Sequence, residues 1–377
     1  MILTRGFLGA LFSSSALGQV HHFYSGVFTG SSLYGVEFNE ASSQLSFIYN
    51  GTLDISSSKW IATDKSNRNI YIANDNTYES YGIGNNVNYI VASNAEPFTV
   101  FGAPYSTGCP GQVIKVGSSG TLESLAANIT YSSDSGIHGL ALSSDNRFIY
   151  SGDDMGSSIW THSYDEETTS VSKLQRLNVT GNPRHLAVSP QGSFIYVILE
   201  QNNQLAVFNR DKTTGLISGR NKTFSLLPSG KTTNPLNQTS LFECSLFSIS
   251  NPGYSNSSLY WSDEVMFSVP QEKGKYPKYL FATVRSRTST DPGFVAAYSL
   301  DSTTGTISDF LFIVPTTGSG GASNSITPAI FSEEFFAIAD AQGNFIEVWK
   351  LGEGATTATV VAHLDVSDSP ANLVWVD

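Results

Sequence analysis

The most chemically useful residues in this chain are a histidine, two arginines and a glutamate that occupy equivalent positions of an internal repeat. His138 and Arg184 stand 46 residues apart at the same point of two matching segments, and Glu200 and Arg285 share a second equivalent point. A histidine titrates near neutral pH and suits general acid or base catalysis, and a guanidinium can hold a carboxylate through two parallel hydrogen bonds. A nearby glutamate can orient either group or exchange a proton itself. We therefore predict His138 and Glu200 as catalytic residues and Arg184 and Arg285 as substrate-binding residues.

The repeat that carries these residues predicts the fold. Residues 137–150 align with residues 183–196 at a constant offset of 46, and similar units occur at 59–71, 279–301 and 322–349. Short runs rich in Val, Ile, Phe and Tyr alternate with turn residues, and no stretch has sustained helical periodicity. A period of about 46 to 51 residues with several strands per unit is typical of a β-propeller blade. We predict an all-β, seven-bladed propeller over residues 19–377 that closes by pairing its N- and C-terminal strands.

The repeat also predicts which side chains meet at the channel. Lys59 falls at the same position as His138 and Arg184 in an earlier blade, and is predicted to bind substrate with the arginines. Because the innermost strands of a propeller surround its axis, equivalent positions form a ring. His185 follows Arg184 on the same strand, so we expect it to point the opposite way and to pack structurally. His162, beside Trp160 on an outer strand, is also expected to be structural.

Several short motifs give the chain a resemblance to a known family. They are Gly136-Ile137-His138-Gly139, Trp160-Thr161-His162, Pro183-Arg184 and Gly320-Gly321-x-Ser323-Asn324. In order and spacing they resemble the fungal 3-carboxy-cis,cis-muconate cyclases, which are related to propeller-type 6-phosphogluconolactonases. The resemblance implies a seven-bladed propeller whose channel binds a tricarboxylate through a His, two Arg and a Glu, at His138, Arg184, Arg285 and Glu200. The sequence departs from the family at Ala322, where the family has His.

Two functions follow from these observations. The first is a cycloisomerase or lactonase that needs no cofactor and acts on a small anionic organic acid or lactone. In lactonisation of a muconate, the carboxylates are held while one oxygen adds across a double bond and an acid protonates carbon. The second is a non-catalytic propeller that binds carbohydrate or protein on its loop-bearing face, which the substitution at Ala322 favours.

The N-terminus and the glycosylation motifs predict a secreted protein. Residues 1–18 have a basic residue, a short apolar run and small residues before Gln19, as in a signal peptide. No later run of about 18 apolar residues predicts a membrane span. An extracellular location is therefore expected, with no membrane partner. Asn-x-Ser/Thr sequons, which accept N-glycans, occur at Asn50, Asn128, Asn178, Asn221, Asn237 and Asn256.

The cysteines, the acidic residues and the net charge bear on disulfide formation, metal binding and nucleic-acid binding. Cys109 and Cys244 can form a disulfide in an oxidising compartment, or can remain as two buried thiols. Asp153-Asp154 and Asn74-Asp75-Asn76 could bind calcium, but turn formation is the ordinary role of such residues, and we predict no metal site. The net charge is −12 and no Lys/Arg cluster occurs among aromatic residues, so nucleic acid is not an expected partner.

Overall fold

The computed structural model describes residues 19–55, 57–64, 66–73, 87–96, 98–231 and 258–376. In these residues the chain forms antiparallel sheets, and the helical structure is one short 3-10 turn, Glu353–Ala355. The first thirteen strands are β1 (Val20–Val27), β2 (Ser32–Asn39), β3 (Gln44–Thr52), β4 (Trp60–Thr63), β5 (Ile70–Ala73), β6 (Val87–Ala92), β7 (Thr99–Pro104), β8 (Gly111–Val116), β9 (Leu122–Ile129), β10 (Ile137–Leu142), β11 (Phe148–Asp153), β12 (Ser158–Asp165) and β13 (Ser170–Asn178).

The second half of the chain continues the same pattern. Its strands are β14 (Pro183–Val188), β15 (Phe194–Leu199), β16 (Gln204–Arg210), β17 (Ile217–Ser225), β18 (Tyr260–Phe267), β19 (Tyr279–Ser286), β20 (Phe294–Leu300), β21 (Ile307–Pro315), β22 (Asn324–Pro328), β23 (Phe335–Asp340), β24 (Phe345–Leu351), β25 (Ala358–Asp365) and β26 (Pro370–Trp375).

The sheets form a closed ring. Over the described ranges there are six four-stranded sheets, and the two-stranded sheet β4-β5 takes the seventh position. The innermost strands contact one another in the order β26, β4, β6, β10, β14, β18, β22 and back to β26. The C-terminal strand β26 pairs with the N-terminal strand β1, where Phe23 lies opposite Trp375. The predicted all-β propeller and its closure by the two terminal strands are confirmed.

The repeat seen in the sequence corresponds to equivalent turns. Asn146 and Gly192, again 46 residues apart, both have positive φ (56° and 79°) in the hairpin between the first and second strands of their blades. Asn and Gly are the residues that adopt this conformation at least cost. In these two blades the serine that follows the inner strand accepts a hydrogen bond from the start of the next strand, from Phe148 N to Ser143 Oγ and from Phe194 N to Ser189 Oγ.

Neighbouring blades are joined by buried apolar clusters and by repeated tyrosine hydrogen bonds. The cluster between two central blades combines Phe148 and Tyr150 with Ile195 and Val197. The Tyr150 hydroxyl donates to the carbonyl of Gly215 in the following blade, 2.8 Å away. Its repeat equivalent Tyr196 donates in the same way to Gly305. The positions of side chains from different blades are therefore fixed by packing as well as by the closed ring.

The secretion-related predictions fall partly within the described chain. Asn50, Asn128, Asn178 and Asn221 are exposed and lie on β3, β9, β13 and β17, the outermost strands of four blades. Residues 1–18, Asn237 and Asn256 lie outside the described residues. Cys109 is half-buried, and its predicted partner Cys244 also lies outside them, so the disulfide stays a prediction. Across the described ranges, the model has no helix with the length and apolar character needed to cross a bilayer.

Candidate functional site

Four consecutive inner strands carry a β-bulge at the same level. The register shifts between residues 87 and 89 in β6, 137 and 139 in β10, 183 and 186 in β14, and 262 and 265 in β18. A bulge interrupts the alternation of side chains along a strand and re-aims the residues it contains. The bulged residues are all buried and polar: Asn88, His138, Arg184, His185, Asp263 and Glu264.

Close backbone packing places the β14 bulge against the preceding blade. Gly139 and Gly152 lie beside the carbonyl of Arg184, and a Cβ added at Gly152 would lie 2.0 Å from that oxygen. Any larger residue at 152 would push the two blades apart. Glycine is therefore required for the approach that brings Arg184 next to His138.

Glu200 connects the two arginines. Arg285 Nη2 donates to Glu200 Oε1 over 2.9 Å, and the same oxygen lies 3.1 Å from Arg184 Nε. All three side chains are buried. Glu200 directly follows β15 and Arg285 lies near the end of β19, at the equivalent positions that the repeat predicts. The structure thus brings three of the five predicted residues into one ion-pair network.

Asp263 is a further partner of Arg184. Arg184 Nη1 donates to the carbonyl of Asp263 over 2.7 Å and also to its carboxylate. The other carboxylate oxygen accepts from Ser323 Oγ (3.2 Å) and Asn324 N (2.5 Å), in the motif that precedes β22. Burial would raise the pKa of Asp263, but the charges of Arg184, then Arg285 and His185, together hold it below its usual value. Asp263 is therefore an ionised carboxylate.

His138 and His185 form a pair, contrary to the expectation that His185 points away from the site. His138 Nδ1 lies 3.1 Å from His185 Nε2, and His185 Nδ1 lies 2.9 Å from Glu264 Oε2. The bulge at Arg184 and His185 explains the difference, because both residues leave the regular alternation. Burial, and then the charges of Arg184, His185 and Arg285, hold the pKa of His138 well below its usual value. His138 is therefore neutral at physiological pH.

Aromatic rings surround the histidine pair. Trp60 and Tyr89 pack on the ring of His185 at centroid distances of 5.0 and 5.1 Å, and Tyr105 packs edge-on against His138 at 4.9 Å. Lys59 is buried and immediately precedes Trp60 at the start of β4. The predicted Lys59 position thus borders the aromatic wall on the side of the two-stranded sheet.

Asp154, which the sequence indicates as a turn residue, belongs to the same region. Its carboxyl accepts from the Tyr105 hydroxyl over 2.7 Å and lies 3.3 Å from Asn182 Nδ2. Burial, and then the charge of Glu200, raise the pKa of Asp154 well above its usual value. Asp153, by contrast, accepts from two backbone amides and from the indole of Trp160, which is a structural role. The described residues contain no group of three or more His, Cys, Asp or Glu side chains arranged to hold a metal ion.

Carboxyl groups outnumber guanidinium groups at this site. We use the name channel cluster for its members, which are His138, Asp154, Arg184, His185, Glu200, Asp263, Glu264 and Arg285. The cluster has four carboxyl groups and two guanidinium groups. Both guanidiniums already contact carboxylates of the protein, and Arg285 Nη1 also donates to the carbonyl of Ala322. Ala322 therefore contributes its backbone to the site, and it lines a cavity of about 50 Å³ with Arg287 and Gln342.

The comparisons with known proteins agree with this architecture. Residues 112–230 match the family described as "Lactonase, 7-bladed beta-propeller". The chain is 25% identical over 293 residues to the carboxy-cis,cis-muconate cyclase of Neurospora crassa, which covers 77% of this chain and 73% of that protein. The predicted family resemblance is confirmed. The segment matched by the family, residues 112–230, contains His138, Arg184 and Glu200.

Solved structures of related propellers share the fold. A periplasmic gluconolactonase of Pseudomonas aeruginosa superposes with a TM-score of 0.71 at 14% identity, covering 95% of this chain and 99% of that one. A candidate 6-phosphogluconolactonase of Bacteroides uniformis gives a TM-score of 0.70 at 17% identity, with the same coverage of each chain. At these identities the similarity concerns the fold. The chain is thus similar to lactonase-type propellers in sequence over residues 112–230, and to the solved propellers in fold.

Sequence reasoning missed Asn88, His185, Asp263 and Glu264. The repeat assigns one position per inner strand to the ring, whereas a bulge supplies one or two residues in altered directions. Asp263 and Glu264 were further hidden because β18 begins 77 residues after β14, well beyond the 46-residue period. The visible signal was the polar pair Asp263-Glu264 inside an otherwise strand-like run.

Proposed function

We propose that this protein is a lactonase-type enzyme that opens or closes a lactone ring at the channel cluster. The observation that carries the proposal is a buried, neutral histidine, His138, in the same cluster as the Arg184–Glu200–Arg285 network. The named activities of its relatives, a muconate cyclase and a gluconolactonase, both interconvert a lactone and an open-chain acid. A neutral imidazole can accept a proton, and a guanidinium can stabilise negative charge that develops on a carbonyl oxygen.

In the hydrolytic direction, His138 takes a proton from water as the water oxygen bonds to the lactone carbonyl carbon. Arg184 or Arg285 stabilises the resulting oxyanion. The ring C–O bond then breaks, and the proton held by His138 passes to the departing ring oxygen. Closure of a hydroxy acid to its lactone follows the reverse path and releases water. Closure of a muconate differs, because a carboxylate oxygen adds across a double bond, and His138 would then have to exchange a proton with carbon.

The charge balance of the cluster favours a substrate with few negative charges. The two guanidiniums already contact the carboxylates of Glu200 and Asp263, and the charge of Glu200 raises the pKa of Asp154. Each additional carboxylate on a substrate is repelled by these groups in a medium of low dielectric constant. We therefore propose a neutral lactone, or one with a single carboxylate, in preference to the tricarboxylate that the family resemblance implies.

The test is a substrate panel with purified protein. Neutral aldonolactones and lactones with one carboxylate are followed by proton release, and 3-carboxy-cis,cis-muconate is followed by loss of ultraviolet absorbance. We expect turnover of a lactone, with a loss of about 10²- to 10⁴-fold in His138→Gln. His162→Gln is the matched control, since His162 is also buried but lies beside Trp160 on β12.

Two outcomes would contradict the proposal. One is full activity in His138→Gln, and the other is a correctly folded wild type that turns over no member of the panel. The second outcome would favour a propeller that binds carbohydrate or protein without catalysis. The next experiment would then ask whether soluble glycans raise the melting temperature of the protein.

We also propose that the protein is secreted and N-glycosylated. The four described sequons support this proposal because they are exposed and lie on outermost strands. Glycans at these positions would stand at the blade edges, leaving the inner strands and the channel cluster accessible.

A further inference from the structure

The cavity beside Ala322 has a polar wall and borders the channel cluster. Its volume is about 50 Å³, which is room for a few non-hydrogen atoms of a ligand. Besides Ala322 and Gly321, the wall consists of one guanidinium, one side-chain amide and four hydroxyl groups, from Arg287, Gln342, Ser286, Thr288, Ser289 and Ser319. None of these lining residues carries a carboxyl group. The cavity therefore differs from the channel cluster, in which carboxyl groups outnumber guanidiniums.

The repeat explains why there is space at this point. Ala322 precedes Pro328 by six residues, as Arg184 precedes Pro190, so it occupies the ring position that holds His138 and Arg184 in other blades. Those blades fill the position with a long polar side chain. The methyl group of Ala322 leaves it open.

The wall of the cavity is connected to the channel cluster through Arg285. Gly321 has a positive φ of 62°, and a Cβ on it would lie 2.6 Å from the Cβ of Gln342, so glycine is required at this point. Arg285 Nη1 donates to the carbonyl of Ala322 and lies 3.4 Å from that of Gly321. The charge of Arg285 also acts on His138. A small ligand that contacts Arg285 can therefore extend toward both the cavity and His138.

Arg287 supplies the positive charge of the cavity, and Trp261 supports it. The guanidinium carbon of Arg287 lies 3.6 Å from the centroid of the Trp261 ring, and that of Arg285 lies 5.0 Å from the same centroid. Stacking on an aromatic ring orients a guanidinium and leaves its edge to form hydrogen bonds. Because a guanidinium has five N–H donors, it can contact the protein and a ligand together.

Two carboxylates near the cavity have partners of their own. Asp291 accepts a hydrogen bond from Thr288 Oγ1 over 2.8 Å and lies 3.6 Å from Lys231 Nζ. Asp340 accepts from three backbone amide groups. Neither belongs to the wall of the cavity. The region around Arg287 is thus better suited to an anionic group of a ligand than the carboxyl-rich channel cluster is.

We propose that this cavity binds a carboxylate of the substrate, and that the substrate is a lactone with one carboxylate outside its ring. Arg287 binds that carboxylate through charge-assisted hydrogen bonds, and the lactone ring lies toward Arg285 and His138. Arg287 and Ala322 are then specificity-determining residues, one through its charge and the other through its small size. This inference rests on the proposed function and selects one of the two substrate classes that the charge balance of the cluster allows.

The first test compares two lactones that differ in a single group. D-glucaro-1,4-lactone has a carboxylate where D-glucono-1,4-lactone has a hydroxymethyl group, and their rings are identical. We expect kcat/KM of the wild type to be at least about tenfold higher for the carboxylated lactone, the lower end of what a hydrogen bond to a charged group contributes. Equal values for the two lactones would overturn the inference.

Two variants test whether the preference arises in the cavity. Arg287→Gln removes the charge, and Ala322→Leu fills the space while keeping Arg287. Each should bring kcat/KM for the two lactones within about twofold of each other. Arg220→Gln is the matched control and should keep the wild-type preference, because Arg220 also lies over an aromatic ring, that of Phe208, but on β17. A wild-type preference in Arg287→Gln would overturn the inference, and this variant decides alone if Ala322→Leu does not fold.

Titration calorimetry separates failure of this inference from failure of the proposed function. The same lactones are titrated into His138→Gln, in which turnover is slowed, and into His138→Gln combined with Arg287→Gln. We expect the carboxylated lactone to bind at least about tenfold more tightly to the first protein, and the two lactones to bind alike to the second. This result, with no turnover by the wild type, would refute the proposed function and keep the carboxylate site. Turnover by the wild type with equal affinities for the two lactones would keep the proposed function and refute the site.

Discussion

Replacing Arg184 by Gln should destabilise the protein, and the loss should depend on pH. Arg184 contacts the carboxylates of Asp263 and Glu200, and all three side chains are buried. Removing one partner of a buried ion pair costs about 3–5 kcal/mol, because an uncompensated charge remains. Glu200 keeps Arg285 at 2.9 Å, so only Asp263 loses its principal partner. We therefore expect a loss of about 3 kcal/mol at pH 7, at the lower end of that range.

The pH dependence follows from the pKa of Asp263. In the wild type this pKa lies below 3.8, so its contribution to stability is present above that pH and is lost as pH falls. Without Arg184, burial dominates and raises the pKa of Asp263. The folded variant then binds a proton that the unfolded chain has released, and its stability falls as pH rises through this window. The loss caused by Arg184→Gln should thus be smaller at pH 4 than at pH 7.

Urea unfolding followed by tryptophan fluorescence at both pH values measures this effect. Adding Asp263→Asn to Arg184→Gln should recover at least about 1 kcal/mol at pH 7, since contacting residues couple. Arg210→Gln is a matched control, because Arg210 is also buried but donates to the carbonyl of Gly192 and to the Tyr150 hydroxyl. Equal losses at pH 4 and pH 7, together with simple additivity in the double variant, would refute this account of Arg184.

Three further predictions concern other described residues. Asp154→Asn should leave the free energy of unfolding unchanged or increase it at pH 7, because the raised pKa of Asp154 makes its ionisation costly to the folded state. This advantage should disappear toward pH 4, and urea midpoints at the two pH values test it. Burial lowers the pKa of His162 to about 4. Between pH 7 and pH 4 the free energy of unfolding of the wild type should therefore fall by about 3 kcal/mol relative to that of His162→Gln. Parallel curves of stability against pH for the two proteins would contradict this prediction. Expression in a eukaryotic secretory host should give a product whose mass falls on enzymatic deglycosylation, and unchanged peptide masses at all four sites would count against glycosylation at Asn50, Asn128, Asn178 and Asn221.

The repeat was sufficient to predict the ring of inner strands and part of the site. A 46-residue offset relates His138 to Arg184 because both occupy the bulged position of an inner strand, and the same logic brought Glu200 next to Arg285. Residues that are one period apart occupy the same position on neighbouring blades. Because the inner strands form a closed ring, side chains at these equivalent positions lie close together. Similar reasoning placed the N- and C-terminal strands in one sheet.

The repeat could not predict in which direction a side chain points or which residue it contacts. Alternation along a strand assigned His185 to the opposite face, and the β14 bulge reversed that assignment. The sequence also suggested that Arg184 and Arg285 were available to bind carboxylates of a substrate. Their commitment to Glu200 and Asp263 depends on contacts between residues far apart in the chain.

The placement of the site on bulges of four neighbouring blades connects the fold to the proposed chemistry. Each blade supplies only one or two bulged residues, so the contacts of His185 with Glu264 and with His138 exist only while three blades keep their relative positions. The interblade hydrogen bonds of Tyr150 and Tyr196 and the β26–β1 closure hold those positions. Burying four carboxyl groups, two guanidiniums and two imidazoles costs free energy that apolar residues at the same positions would not. In return for this cost, the fold holds its acid–base groups in fixed orientations before the substrate arrives. Groups that are oriented in advance stabilise a transition state most strongly.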